Sequence, residues 1–100
     1  MVKEITEKEF KDVISKDKKI LIDCYASWCG PCKMLSPLID EVASKNTNID
    51  FYKLDIDEAD QIAIEYNIMS IPTLLLFNNG KLEKTSIGLI SEDELEELIK

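Results

Sequence analysis

The chain contains no histidine and no arginine; all 12 basic residues are lysines, set against 20 Asp and Glu. Without histidine, Cys–His nucleophilic catalysis is excluded, and any general base has to be a carboxylate or a lysine. Without arginine there is no planar fork to clamp a phosphate or carboxylate in bidentate fashion. The net charge of −8 comes with no basic stripe, which argues against nucleic acid as a partner and fits a charge that serves solubility. Long hydrophobic runs are missing as well. Leu74-Leu75-Leu76-Phe77 falls far short of the roughly 20 residues a membrane helix needs, so no membrane association is expected. The opening MVKEITEKEF lacks the basic lead and apolar core of a secretory signal. It predicts a cytoplasmic chain, in a compartment where thiols are kept reduced. No glycine-rich phosphate loop is present, so neither a nucleotide nor a flavin cofactor is expected.

What is present reads as one continuous domain over residues 1–100, with no repeat, linker or low-complexity stretch. Its length is near the commonest domain size and allows a real core. Val2 to Ile5 has the makings of a short edge strand. Thr6 with Glu9 is a capping box, opening a helix with Phe10, Val13 and Ile14 on one face. Ile20 to Tyr25 is short, β-branched and almost wholly apolar, as a central strand covered on both faces should be. Met34, Leu35, Leu38, Ile39, Val42 and Ala43 then recur at helical spacing, with Pro37 predicted to kink the helix. Ile49 to Ile56 is a second buried strand, followed by a shorter helix carrying Ile62, Ala63 and Tyr66. Thr73 to Phe77 is a third strong strand, and Asn79-Gly80 supplies a hairpin turn into Lys81–Ile87. Ser91 with Glu94 caps a final helix with the stripe Leu95, Leu98, Ile99. The order βαβαβαββα predicts an α/β fold: a mainly parallel sheet with helices on both faces and an antiparallel edge from the hairpin.

Chemistry concentrates in Ser27-Trp28-Cys29-Gly30-Pro31-Cys32-Lys33, after a strand and at the mouth of the longest helix, where open α/β sheets place their sites. Two thiols three positions apart could be half a metal clamp, a structural staple, or a reversible redox pair. A structural zinc site needs four ligands, and only Cys24 remains beyond the pair. The acidic run Asp55 to Asp60 lacks the central glycine and terminal Glu of a calcium loop; it reads as a solvated strand end and helix N-terminus. A staple closing so small a ring contributes little, because loop-entropy stabilisation grows with loop length. The redox reading has a mechanism. Residues i and i+3 at a helix start share a face and come close enough to bridge. Unpaired N–H groups and the helix dipole there favour a thiolate, the attacking species. Gly30 leaves room for a partner's backbone, and Pro31 sits where a missing N–H costs nothing.

The segment Ile22 to Leu38, IDCYASWCGPCKMLSPL, resembles the active-site region of the thioredoxin family. Lys53-Leu54-Asp55-Ile56-Asp57, Ile71-Pro72-Thr73, Asn79-Gly80 and Gly88 extend the resemblance in order to the C-terminus. It implies a thioredoxin fold and a protein-disulfide reductase that cycles between a Cys29–Cys32 disulfide and a dithiol. Cys29 would be the exposed nucleophile and Cys32 the resolving thiol. Asp23 would be the buried carboxylate that exchanges a proton with Cys32, with Lys53 tuning its ionisation. Pro72 would follow Ile71 through a cis bond, and Trp28, Ile71, Pro72 and Gly88 would form the platform for a substrate's extended backbone. Trp28 packing over the site without touching substrate remains equally open.

Electrons would come from a separate reductase of the thioredoxin-reductase type, and the other partners would be protein disulfides. No feature suggests more than a monomer. The Gly30-Pro31 dipeptide carries no charge to favour the thiolate further, so the resemblance implies a reductant. Cys24 stands where the family commonly has an aromatic and is expected to be a small buried hydrophobe. Tyr25 replaces a frequent Trp, and Ser70 and Leu89 differ around the binding surface; these changes bear on partner preference. The other readings that the residues leave open are a binding module in which redox cycling is incidental, and a dedicated electron donor to one enzyme.

Overall fold

The computed structural model describes residues 2–100. In chain order its elements are β1 (Val2–Ile5), α1 (Glu7–Ile14), β2 (Lys19–Tyr25), α2 (Gly30–Lys45), β3 (Asp50–Asp55), a single 3₁₀ turn (Ile56–Glu58), α3 (Asp60–Glu65), β4 (Thr73–Asn78), β5 (Lys81–Ile87) and α4 (Glu92–Leu98). The predicted sequence of elements is therefore reproduced. Both capping boxes form: the Glu9 N–H donates to Thr6 Oγ1 and the Thr6 N–H to Glu9 Oε1, with Ser91 and Glu94 repeating the exchange. Two orphan donors at each helix start are satisfied in this way. Pro37 withholds one N–H, yet α2 runs through it to Lys45.

The five strands lie in the order β1-β3-β2-β4-β5, with β2 central and buried from Ile20 to Cys24. β1, β3 and β2 run parallel. The sheet departs from expectation in its second half: β4 is antiparallel to β2 as well as to β5, so the antiparallel part is not confined to the hairpin edge. The chain leaving β3 at Asp55 enters β4 beside the end of β2, with Thr73 opposite Cys24. Asn79 and Gly80 both take positive φ, the conformation a two-residue hairpin turn requires.

Alternation along the strands divides the core in two. On one face Ile20, Ile22, Cys24, Leu54, Leu75 and Phe77 pack with Phe10 and Val13 of α1 and Ile62 of α3. There Phe10, Tyr66 and Phe77 meet edge to face, the geometry aromatic quadrupoles favour. On the other face Leu21, Phe51, Leu74 and Leu76 pack with Leu35, Ile39 and Val42 of α2, Leu95 of α4 and Ile99 just beyond it. Asp23 lies on this second face, one row nearer the strand ends than Leu21.

Candidate active site

β2 ends at Tyr25, and the chain turns through Ala26–Trp28 into α2, with the Cys29 N–H donating to the Ala26 carbonyl. Cys29 is the N-cap of α2, and its sulfur accepts the N–H of Cys32 at 3.2 Å. It takes the place that a Ser or Asp oxygen usually fills, and in the reduced state the same N–H and the helix dipole would favour its thiolate. The two cysteines are joined in a disulfide, their Cα atoms 5.3 Å apart. Pro31 stands in the first turn, where no donor is lost to the helix. A Cβ on Gly30 would meet nothing within 4 Å, so this edge of the bond is open to an approaching chain.

Cys29 does not match the expectation of an exposed nucleophile: only 4% of it is accessible, the same as Cys32. Its position as cap turns the sulfur over the first helical turn, against Ala26, Tyr25 and Ile71.

Because β4 is entered at the end of β2, Ile71-Pro72 comes to lie against the disulfide. The Ile71–Pro72 bond is cis, and the Ile71 carbonyl oxygen is 3.8 Å from Cys29 Sγ. Gly88 donates its N–H to the Pro72 carbonyl at 2.8 Å and has a φ of 93°, a conformation in which a side chain would be strained. Trp28 is 68% exposed. Its indole N–H donates to Asp57 Oδ2 at 2.7 Å, and Asp57 is itself held by its N–H bond to Asp55 Oδ1. Of the four residues the resemblance assigns to a substrate platform, Ile71 packs against the two cysteines, Pro72 follows it through the cis bond and is hydrogen-bonded by Gly88, and Trp28 precedes Cys29 in the chain with its indole turned to Asp57. Asp57 was not foreseen. The acidic run carried no sign that one of its members would meet an indole 29 positions earlier.

Asp23 is 5% exposed, and its Oδ1 has no hydrogen-bond partner within the protein. It lines a cavity of about 170 Å³ together with Tyr25, Ala26, Ser27, Cys32, Lys33, Ser36 and Lys53. That space can hold water, since one molecule needs only about 10–15 Å³ by such a measure. Burial pushes the Asp23 carboxyl up to about 7; Lys53 opposes the shift, while Asp40 and Glu4 add to it. Lys53 is opposite Asp23 in the β2–β3 register, as expected of its neighbour. Its ammonium also lies 4.0 Å from Glu4 Oε1 and over the ring of Tyr25. The Tyr25 hydroxyl donates to Glu4 Oε2 at 2.6 Å. Neither Glu4 nor this use of Tyr25 was legible in the sequence. Cys24, one residue from Asp23, is fully buried on the opposite face, as expected, with its thiol pushed up to about 12 by burial and then by the Asp23 charge.

Among the described residues no group of three or more His, Cys, Asp or Glu is placed to hold a metal ion, and no helix is long and apolar enough to cross a membrane.

The arrangement is close to that of known proteins. A family profile described as Thioredoxin matches residues 1–100. A thioredoxin of Mycoplasmoides gallisepticum is 46% identical over 100 residues, covering 99% of this chain and all of the relative. Thioredoxin-1 of Saccharomyces cerevisiae is 47% identical over 83 residues, or 83% of this chain and 81% of that one. The crystal structure of oxidised mitochondrial thioredoxin 3 from the same yeast superposes with a TM-score of 0.90 at 35% identity, covering 98% of this chain and 92% of its own. With Cys29 capping α2 and bonded to Cys32, and with its whole length matched, this chain belongs to the thioredoxin family and is a thiol–disulfide oxidoreductase.

Proposed function

We propose that this thiol–disulfide oxidoreductase runs in the direction of reduction, passing two electrons from a separate reductase to disulfides of other proteins in the cytoplasm, and that it acts as a monomeric single domain. The observation that carries Cys29 as the nucleophile is the capping geometry, in which its Sγ receives the Cys32 N–H at the N-terminus of α2; the reducing direction rests on the uncharged Gly30-Pro31 pair, which adds nothing further to stabilise the thiolate. In the reduced state the Cys29 thiolate attacks one sulfur of a substrate disulfide; that bond breaks and the other substrate sulfur leaves as a thiolate. Asp23, across the cavity, takes the Cys32 proton through water. The Cys32 thiolate then attacks Cys29 Sγ, closing the intramolecular disulfide and releasing the second substrate sulfur. The substrate has gained two electrons, and the reductase returns two electrons and two protons to the pair.

The cradle for the substrate is Trp28, Ile71, Pro72 and Gly88. It is fitted to an extended backbone, because backbone groups are common to all proteins and would give broad tolerance. Lys53 tunes Asp23, and Gly30 and Pro31 leave the couple without added charge.

The test is insulin reduction coupled to a thioredoxin reductase. Cys29→Ser should abolish turnover, and Cys32→Ser should accumulate mixed disulfides with substrate. The couple's potential, read by the fluorescence of Trp28 against a thiol–disulfide buffer, should lie well below the glutathione poise. A potential near or above that poise would make the protein an oxidant or isomerase. Robust turnover by Cys29→Ser would end the assignment. Partner affinity fully retained in Cys29→Ser/Cys32→Ser, with no redox cycling in the wild type, would favour a binding module.

A further inference from the structure

Glu4, Lys53 and Asp23 occupy one row across three adjacent strands: Glu4 of β1 is paired with Lys53 of β3, and Lys53 with Asp23 of β2. Paired residues of parallel neighbours project to the same side of a sheet, and Tyr25, two positions beyond Asp23, projects there too. The next row toward the strand starts, Val2, Phe51, Leu21 and Leu76, is apolar. The polar row is not an accident of a solvated edge, because it leads from an exposed carboxylate to one that is 5% exposed.

Lys53 stands between the two carboxylates. On its outer side Glu4 Oε1 is 4.0 Å from Nζ. The Tyr25 ring lies 5.7 Å beneath the ammonium, and its hydroxyl, reaching across β3, is anchored at 2.6 Å on the other oxygen of Glu4. One exposed side chain thus grips both the cation that faces Asp23 and an aromatic wall of the cavity that Asp23 shares with Cys32.

We propose that Glu4 is a positioning residue of the redox site, drawing the Lys53 ammonium outward and holding Tyr25 across the cavity, and so setting how readily Asp23 takes the Cys32 proton. The proposal rests on the reading of Asp23 as the proton acceptor. The charged groups around Asp23 are Lys53 of β3, Asp40 and the cavity-lining Lys33 of α2, and Glu4 of β1; burial and the two carboxylates keep its proton on, and Lys53 opposes them. Neutralising Glu4 acts twice in the same direction. It removes a negative charge, and it frees Lys53 to lean toward Asp23.

The experiment is a carboxyl-carbon NMR titration of Asp23 in the reduced full-length chain, for wild type, Glu4→Gln, Lys53→Gln and the double variant. The pH profile of single-turnover insulin reduction is measured on the same four proteins. Gln keeps an oxygen for the Tyr25 hydroxyl, so the wall stays in place while the charge is lost. Glu4→Gln should lower the Asp23 midpoint by about half a pH unit, roughly a threefold rise in the ionised fraction below the midpoint. Lys53→Gln should raise it, and in that background Glu4→Gln should shift it by less than half as much. The alkaline-rising limb of the rate should follow each midpoint. An unmoved midpoint in Glu4→Gln would overturn the role of Glu4 while leaving Asp23 as acceptor. An equal shift in both backgrounds would overturn action through Lys53. A midpoint that moves while the rate profile does not would sink the Asp23 reading, and with it the catalytic part of the proposal. Should Glu4→Gln fail to fold, the same titration on Glu4→Asp, whose shorter carboxylate is withdrawn from Lys53, should move the midpoint in the same direction, and an unmoved one would overturn the proposal.

Discussion

Asp23 and Cys24 are neighbours on β2 and face opposite sides of the sheet. Both are removed from water, and burial raises both of their ionisations. The outcomes differ because their starting points and surroundings differ. Cys24 begins near 9 and is pushed to about 12 among Ile22, Leu54 and Leu75; its thiolate is inaccessible at working pH and its sulfur is packing material. Asp23 begins near 3.8 and is brought to about 7 beside a cavity shared with Lys53 and Cys32. The same physical penalty silences one group and poises the other. Burial is therefore not a sign of function by itself; what counts is where it leaves the proton and whether a polar route leads there.

The contrast is broken most strongly by Asp23→Asn. The native state holds the Asp23 proton up to about pH 7, whereas the carboxyl's ordinary value is 3.8. Between those values the folded state binds more protons than the unfolded chain, so stability is complete below about pH 4 and is lost as pH rises to 7. The loss amounts to something on the order of 4 kcal/mol. Asp23→Asn should flatten this slope, leaving the variant more stable than wild type at pH 8 by urea unfolding. It should also slow mixed-disulfide resolution at pH 7 by about 100-fold, the lower end of what a positioned acid–base group supplies. A variant with unaltered pH dependence of stability would show that Asp23 is not the buried ionisable group described here.

Cys24→Ser is the corresponding change on the dry face. It places a hydroxyl among aliphatic side chains and should cost about 1–3 kcal/mol, while Cys24→Ala leaves insulin reduction at the wild-type rate. In a Cys29→Ser/Cys32→Ser background, Cys24 should resist a bulky maleimide in the native protein and label only on unfolding. Ready native labelling would contradict its burial. The smallest effect is expected at the rim. Trp28→Phe keeps a ring but drops the indole N–H that Asp57 accepts, which should cost about 1 kcal/mol and raise KM more than it lowers kcat.

Legibility followed the range of the interaction. The capping boxes, the Asn79-Gly80 turn and the position of Cys29 at the start of α2 are local patterns, and each was read correctly from residues close in sequence. The parallel or antiparallel sense of β4 was not, because the connection over residues 56–72 is long enough for either, and the end of the sheet it returns to is settled by tertiary packing. Asp57 and Glu4 were missed for a related reason. Each is an acidic residue in an acidic, exposed stretch, and their partners Trp28, Tyr25 and Lys53 lie 21 to 49 positions away.

By itself the sequence determined the chemistry and the scaffold: two thiols spaced for one helix start, no histidine to act as base, a buried strand carrying one carboxylate, and a family resemblance along its length. Those are consequences of short-range geometry and residue type, which pattern alone conveys. Tertiary structure decided the rest. It set the cis Ile71–Pro72 bond against Cys29, the near-complete burial of both cysteines, and the row Glu4–Lys53–Asp23 that runs from an exposed edge to a buried carboxyl. These arise where strands distant in sequence are brought into register, and the energies that count there depend on distance and desolvation, which exist only once the chain has folded.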